Sequence, residues 1–243
     1  MIFVRSLLYF VAMVISVIVF GLTIAVLGRF VRGDFSDVVA TNWGKFNLWL
    51  LRVICGLRYE IQGLENLPPS DPIIIMSKHQ SAWETISLRG IFRPQQSWVL
   101  KKELMQLPFF GWALGFAKSI PIDRAAGRRA IFEVVKQGIE RLNEGRYVII
   151  FPEGTRTDPG QRKKYGVGGG VLAERSGVPV IPVAHNAGVF WRRRGVKKYP
   201  GTIQVIIGPA ISTSGKKASE IMREVEDWIE TRQEELPIAV DMA

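Results

Sequence analysis

Residues able to do acid–base chemistry near neutral pH are scarce in this 243-residue chain, which has two histidines, His79 and His185, and one cysteine, Cys55. A single cysteine excludes an internal disulfide and a cysteine-based zinc cluster. Any catalytic imidazole is therefore His79 or His185. His79 stands out because Glu84 follows it in Lys78-His79-Gln80-Ser81-Ala82-Trp83-Glu84. A carboxylate hydrogen-bonded to an imidazole fixes its tautomer and strengthens it as a base. On one regular helix this spacing sets the two side chains about 140° apart. They meet only if His79 lies in a loop and Glu84 in the first turn of the next helix, which Ser81 is suited to cap. Ser81 to Glu84 also spells a capping box, in which Glu84 bonds back to the Ser81 amide with no catalytic role. The spacing leaves both readings open. A metal site is the poorer alternative, since only His185 adds a second imidazole.

Cations recur at the ends of predicted strands. Phe151-Pro152-Glu153-Gly154-Thr155-Arg156 follows one such strand. Gly154 lets the backbone come close to a ligand, and Arg156 offers a fork that matches phosphate or carboxylate. Glu153 is open between ligand contact and loop support. Ile120-Pro121-Ile122-Asp123-Arg124 and Lys101-Lys102-Glu103 follow two others. Each segment alone reads equally well as a surface turn. Together, Lys101, Arg124 and Arg156 fall on the same kind of strand end as His79, as a phosphate pocket beside a base requires. Gly166-Val167-Gly168-Gly169-Gly170 lacks the Gly-Lys-Ser/Thr ending of a phosphate loop and reads as a flexible entry to a helix.

These groups need a scaffold, and the chain has the material for one. Hydrophobic residues make up 47% and charged residues 22%, which excludes wholesale disorder. Short apolar runs predict strands at Arg58 to Gln62, Ile73 to Met76, Ser97 to Leu100, Ser119 to Ile122, Tyr147 to Phe151, Val180 to Ala184 and Ile203 to Ile207. Helices are predicted at Ala82 to Phe92, Phe109 to Ala117, Ala125 to Asn143, Gly169 to Arg175 and Ser219 to Leu236, with a frayed tail beyond. Strands alternating with helices predict an α/β domain over 58–243, with a mostly parallel central sheet flanked by helices.

Residues 1–57 are of another kind. Ser6 to Leu27 carries no charge, a length that suffices to cross a bilayer as a helix. The run is too long for a secretory signal and ends in Gly28-Arg29 rather than in a small-residue cleavage site. Arg29, Arg32, Lys45, Arg52 and Arg58 follow it and favour a cytoplasmic location for what comes after. A run that enters one leaflet and turns back near Gly21 fits equally well. From Phe35 to Leu57, Val39, Trp43, Phe46, Leu50 and Ile54 recur at helical spacing, with tryptophans suited to the headgroup level. The net charge of +10 agrees with an anionic partner.

His79-x4-Glu84, Ile120-Pro-Ile-Asp-Arg124, Phe151-Pro-Glu-Gly-Thr-Arg156 and Val178-Pro-Val-Ile-Pro182, in that order, resemble the ordered blocks of the glycerolipid acyltransferases. The resemblance spans Lys78 to Pro182 and points to the bacterial 1-acyl-sn-glycerol-3-phosphate acyltransferase branch. One departure is that Glu84 stands where the family usually has aspartate. The resemblance implies acyl transfer to the sn-2 hydroxyl of lysophosphatidic acid, giving phosphatidic acid for phospholipid synthesis. Acyl-CoA or acyl carrier protein would be the donor substrate, with no metal and no bound cofactor. His79 would be the general base and Glu84 its orienting group. Lys101, Arg124, Glu153, Gly154, Thr155 and Arg156 would bind the glycerol phosphate. Val178, Pro179, Ile181 and Pro182 would shape the acyl or thioester side. The family also implies work at a membrane, here the bacterial inner membrane with the catalytic domain on the cytoplasmic side. The basic patch Trp191-Arg192-Arg193-Arg194 with Lys197 and Lys198 suits anionic lipid or acyl carrier protein, and no recognised motif for nucleic acid accompanies it. Acyl transfer to another lysolipid, such as a lyso-ornithine lipid, and non-catalytic lipid binding are the alternatives.

Overall fold

A computed structural model describes residues 1–31 and 33–239. Arg32, the side chain of Arg124 and the end of the tail (240–243) lie outside the described residues. The chain begins with α1 (Ile2–Leu27) and α2 (Phe35–Leu50), the latter running into a wider π turn at Leu51–Cys55. Then follow β1 (Leu57–Gln62), β2 (Ile74–Ser77), α3 (Trp83–Ile91), β3 (Gln96–Lys101), α4 (Phe110–Phe116) and β4 (Ile120–Ile122). The rest is α5 (Arg128–Asn143), β5 (Tyr147–Ile150), α6 (Gly168–Ser176), β6 (Val180–His185), α7 (Ala187–Phe190), β7 (Gly201–Ile207) and α8 (Ala218–Glu235).

The strands form one sheet in the order β1-β7-β6-β2-β5-β3-β4. Every neighbouring pair is parallel except β6 and β7. All seven predicted strands are present, and the sheet is parallel through its centre as expected. Its central strands are apolar on both faces, which is why they read as continuous runs rather than as alternation. Ile75, Ile149, Ile181 and Val183 face a layer that includes Trp83 and Leu88 of α3 and Leu48 and Leu51 of the α2 region. Ile74, Met76, Val148, Ile150 and Val180 face α5, α6 and α8 through Val134, Leu172, Ile221, Val225 and Ile229.

Two sequence expectations change. Helix α5 starts at Arg128, because Arg124–Ala126 forms a separate 3-10 turn capped by Asp123 and Gly127 breaks the path at φ +52°. The glycine run is no flexible entry: Gly168–Gly170 is the first turn of α6. A side chain at Gly169 would meet Met76 Cε at 2.6 Å, and one at Gly170 would meet the Ala218 carbonyl at 2.5 Å. These glycines allow α6 to pack closely on β2 and α8.

Helix α1 packs along its length on the domain rather than leaving it. The Lys198 amide donates to Ser6 Oγ at 2.9 Å, Trp43 Nε1 donates to Ser16 Oγ at 3.0 Å, and Gly21 lies against the Phe109 carbonyl. The change at residue 57 is a change of element, since Tyr9, Leu48, Leu51 and Cys55 belong to the same core as the sheet. Outward, α1 exposes Phe3, Leu8, Val11, Ile15, Val19 and Val26, an apolar face that α2 continues with Trp49 and Val53. One residue leaves the basic patch: Lys198 is buried with its ammonium 4.5 Å from the Trp191 ring centre.

Candidate functional site

Strand β2 ends at Ser77, and the chain crosses the C-terminal edge of the sheet as the loop Lys78 to Ala82 before α3 begins at Trp83. Ligands gather at this edge in open α/β sheets. His79 thus sits in the loop and Glu84 in the first helical turn, the one arrangement that lets them meet. Glu84 Oε1 lies 2.8 Å from His79 Nδ1. The same oxygen accepts from the amides of Gln80 at 2.9 Å and Ser81 at 2.7 Å. The orienting and capping readings therefore coexist on one oxygen. The other half of the cap differs from the expected box, since Ser81 Oγ accepts from the Trp83 amide at 3.1 Å. Glu84 is fully buried. Burial raises its affinity for a proton, but the bond from His79, the neighbouring imidazoles and the Ser81 amide outweigh this and hold the carboxyl below its ordinary range.

A carboxylate fixed on Nδ1 turns Nε2 outward, and Nε2 has no protein partner among the described residues. The His79 ring stacks on Phe151, with centroids 4.1 Å apart and planes 14° from parallel. The loop backbone is held from the far side. Glu153 Oε2 accepts from the His79 amide at 2.6 Å, and the Thr157 amide donates to the His79 carbonyl at 2.8 Å. The Thr157 hydroxyl donates to Glu153 Oε1 at 2.9 Å. Glu153 is therefore turned inward to the His79 loop, with Lys78 Nζ also 2.8 Å from its Oε1. Burial pushes its carboxyl up, against the pull of Lys78.

Several supporting residues were not legible in advance. Buried Lys78 also pairs with Glu230 Oε1 of α8 at 2.8 Å, and that oxygen accepts from the Tyr165 hydroxyl. Gln233, one turn on, accepts from Gln80 Nε2 at 2.7 Å and donates to the His185 carbonyl at 3.0 Å. A charged residue flanking the apolar stripe Ile221, Val225 and Ile229 was the available signal. The buried His185 has both ring nitrogens engaged, donating from Nε2 to the Lys78 carbonyl at 2.8 Å and accepting at Nδ1 from the Ala187 amide at 3.2 Å. Burial lowers its pKa, so it stays a neutral strut. No cluster of three or more His, Cys, Asp or Glu able to hold a metal occurs among the described residues.

His79 opens into a cleft of about 440 Å³. Lys101, Thr155 and Arg156 line it together with Arg193 and Arg194, and its inner wall carries Trp43, Trp98, Leu104, Phe110 and Leu114. Gly154 at φ +67° turns the chain so that Thr155 and Arg156 reach the cleft. The structure thus brings His79, Glu84, Lys101, Thr155 and Arg156 together, and adds Arg193 and Arg194. It does not bring Val178, Pro179, Ile181 or Pro182 to the cleft. Ile181 and Pro182 lie in β6, paired with Ile75 and Met76 of β2, and the Pro179 carbonyl accepts from the Ile74 amide. This block registers the central strands that carry the His79 loop.

An α/β sheet that presents a carboxylate-backed imidazole to a cationic and apolar cleft is built for transfer chemistry on an amphipathic substrate. The Acyltransferase family model matches residues 58–186, and the chain belongs to this family. It is 50% identical over 204 residues to the 1-acyl-sn-glycerol-3-phosphate acyltransferase of Pseudomonas aeruginosa, covering 82% of this chain and 79% of that protein. It is 30% identical over 153 residues to the chloroplastic 1-acyl-sn-glycerol-3-phosphate acyltransferase BAT2 of Brassica napus, covering 63% of this chain and 42% of that one. The fold matches the crystal structure of the 1-acyl-sn-glycerophosphate acyltransferase PlsC from Thermotoga maritima, with a TM-score of 0.80, 22% identity and coverage of 96% and 94% of the two chains.

Proposed function

We propose that this acyltransferase moves a fatty acyl group from an acyl thioester to the sn-2 hydroxyl of 1-acyl-glycerol-3-phosphate, giving phosphatidic acid. The observation that carries the reading is the His79–Glu84 pair at 2.8 Å, with Nε2 facing a cleft that is cationic at its mouth and apolar within. A phosphate monoester needs cations, and Arg156 and Lys101 stand at the mouth with Arg193 and Arg194 beside them. An acyl chain needs an apolar seat, and Val17, Phe20, Ile24, Ala113 and Ala117 line a narrow apolar channel of about 50 Å³, room for only the start of such a chain, that shares Trp43, Phe110 and Leu114 with the cleft.

The hydroxyl gives its proton to His79 Nε2 as its oxygen attacks the thioester carbonyl. Glu84, kept ionised, holds the Nδ1 proton and stabilises the imidazolium. The new C–O bond forms, the C–S bond breaks, and the imidazolium returns the proton to the departing sulfur. Acyl-CoA and acyl carrier protein both supply such a thioester.

The apolar channel lies between α1, α2 and α4, so the membrane surface and the active site belong to one structure. Helix α1 is about 39 Å long by its rise per residue. It is packed on the domain at both ends and exposes its apolar side, which suits a helix sunk lengthwise in one leaflet. Exposed Lys45, Arg52 and Arg58 support a seat for this surface on the cytoplasmic leaflet of the bacterial inner membrane.

The test offers purified protein a labelled acyl thioester with lysophosphatidic acid or with lysolipids that lack the phosphate monoester. Transfer confined to lysophosphatidic acid supports the reading. Transfer only to the others moves the acceptor assignment, and no transfer with either thioester overturns it.

A further inference from the structure

Arg89 has no role in the scheme above, yet its placement is hard to explain as structural. It lies in the last turn of α3, on the helix that carries Glu84, and only 6% of its surface is exposed. Its Nη1 is buried without any hydrogen-bond partner among the described residues. The nearby acid, Asp37, is fully engaged: it takes both prongs of Arg146, at 2.7 Å and 2.6 Å. Two buried guanidinium groups thus lie near one carboxylate that bonds only Arg146, which leaves the Arg89 charge without a direct acidic partner among the described residues. Burial and Arg146 push the Arg89 pKa down to about 10, against the pull of Asp37. The side chain gains contact with the Trp98 ring, at 5.3 Å, but a ring face does not satisfy a buried N–H.

Its position suggests what would. Arg89 lines both the His79 cleft and the apolar channel, with Trp43, Phe110 and Leu114 completing the neck between them. A phosphate dianion fits the exposed cations at the mouth better than this neck, where stripping its water would cost more than one guanidinium returns. A neutral carbonyl oxygen loses less on burial and accepts a charged donor well. An acyl chain that enters the channel from the cleft has such an oxygen at its head.

We propose that Arg89 contacts substrate, donating a hydrogen bond to the carbonyl oxygen at the head of the acyl chain seated in the apolar channel. This rests on the acyl-transfer reading. Two carbonyls have this chemistry: the sn-1 ester of the acceptor and the thioester of the donor. The position fixes the chemical class, and the acceptor series separates the sources.

The experiment compares wild type with Arg89→Met, Arg89→Gln and Arg89→Lys, using 1-acyl and 1-O-alkyl glycerol 3-phosphate as acceptors and a common acyl-CoA. Melting temperatures are measured alongside. If the ester is the ligand, wild type prefers the acyl acceptor in kcat/KM by about 10- to 100-fold, Arg89→Met abolishes the preference, and the alkyl rate is unchanged. If the thioester is the ligand, Arg89→Met loses about 10- to 100-fold with both acceptors alike. In either case Arg89→Met melts no lower than wild type, because an unpaired buried charge has been removed. Arg89→Gln or Arg89→Lys, which keep an N–H donor, recovers part of the loss. The proposal is overturned if Arg89→Met stays within about twofold of wild type on both acceptors. It is equally overturned if activity falls only together with melting temperature in all three variants. An inactive wild type would instead remove the acyl-transfer reading itself.

Discussion

The floor of the cleft and its rim are built on opposite terms. On the floor, each contact to His79 is made before any substrate arrives. Glu84 holds Nδ1, Glu153 holds the amide, Thr157 holds the carbonyl and Phe151 braces the ring. On the rim, Lys101, Arg193 and Arg194 are exposed, and the ion pairs there are exposed too: Lys101 with Glu103 at 3.3 Å and Arg193 with Asp158 at 3.1 Å. Arg156 Nε is buried with no hydrogen-bond partner among the described residues. A general base, the role proposed for His79, must be aligned to a few tenths of an ångström, which a rigid and internally satisfied frame provides. On the proposed reading, the rim stays incomplete because the phosphate of the substrate completes it. The acids on the rim, Glu103 and Asp158, are exposed and hold their cations weakly, whereas the buried acids under the floor hold the His79 loop.

Substitutions should divide along this line. His79→Ala removes the base, and turnover falls about 10²- to 10⁴-fold with lysophosphatidic acid binding retained, readable by kcat and by equilibrium binding. Lys78→Met strips the cation from two buried carboxylates, Glu153 and Glu230, and costs about 3–5 kcal/mol in denaturant unfolding. Adding Glu230→Gln to Lys78→Met restores part of that stability. Arg156→Ala raises KM for lysophosphatidic acid about 10-fold with little change in kcat, the reverse of a floor substitution. Arg194→Ala, on the outer rim, stays within about threefold of wild type at physiological salt. A rim variant that lost kcat, or a floor variant that lost only KM, would break the division.

Acid should also separate the two regions. The folded-state pKa of Glu84 lies below its unfolded value, so its stabilising contribution is present above about pH 4.3 and is lost as pH falls through the lower folded value. Below about pH 4.3 wild type should therefore lose melting temperature faster than Glu84→Gln, which lacks that titration.

The sheet was legible because its strands are buried on both faces and announce themselves as apolar runs such as Ile73 to Met76. His79 and Glu84 were legible because a loop followed by a capped helix has few geometries. What escaped was long-range. Glu230 reaches Lys78 across 152 positions and Arg146 reaches Asp37 across 109, and no local pattern pairs them. The block Val178 to Pro182 was placed at the acyl side by resemblance, whereas its local pattern, a buried strand between two neighbours, already described its position in the sheet. Arg89 left a weak trace as a lone cation among Ile86, Leu88 and Gly90. Its missing partner shows only when the fold reveals Asp37 already taken.

The measurement that bears most directly on the central claim is turnover and melting of Glu84→Gln at neutral pH. Glutamine keeps an oxygen for the Gln80 and Ser81 amides but removes the charge opposite the imidazolium. A fall in kcat of about 100-fold or more, with melting held within a few degrees, is the predicted result. Turnover at the wild-type rate would contradict it and leave Glu84 as a helix cap alone.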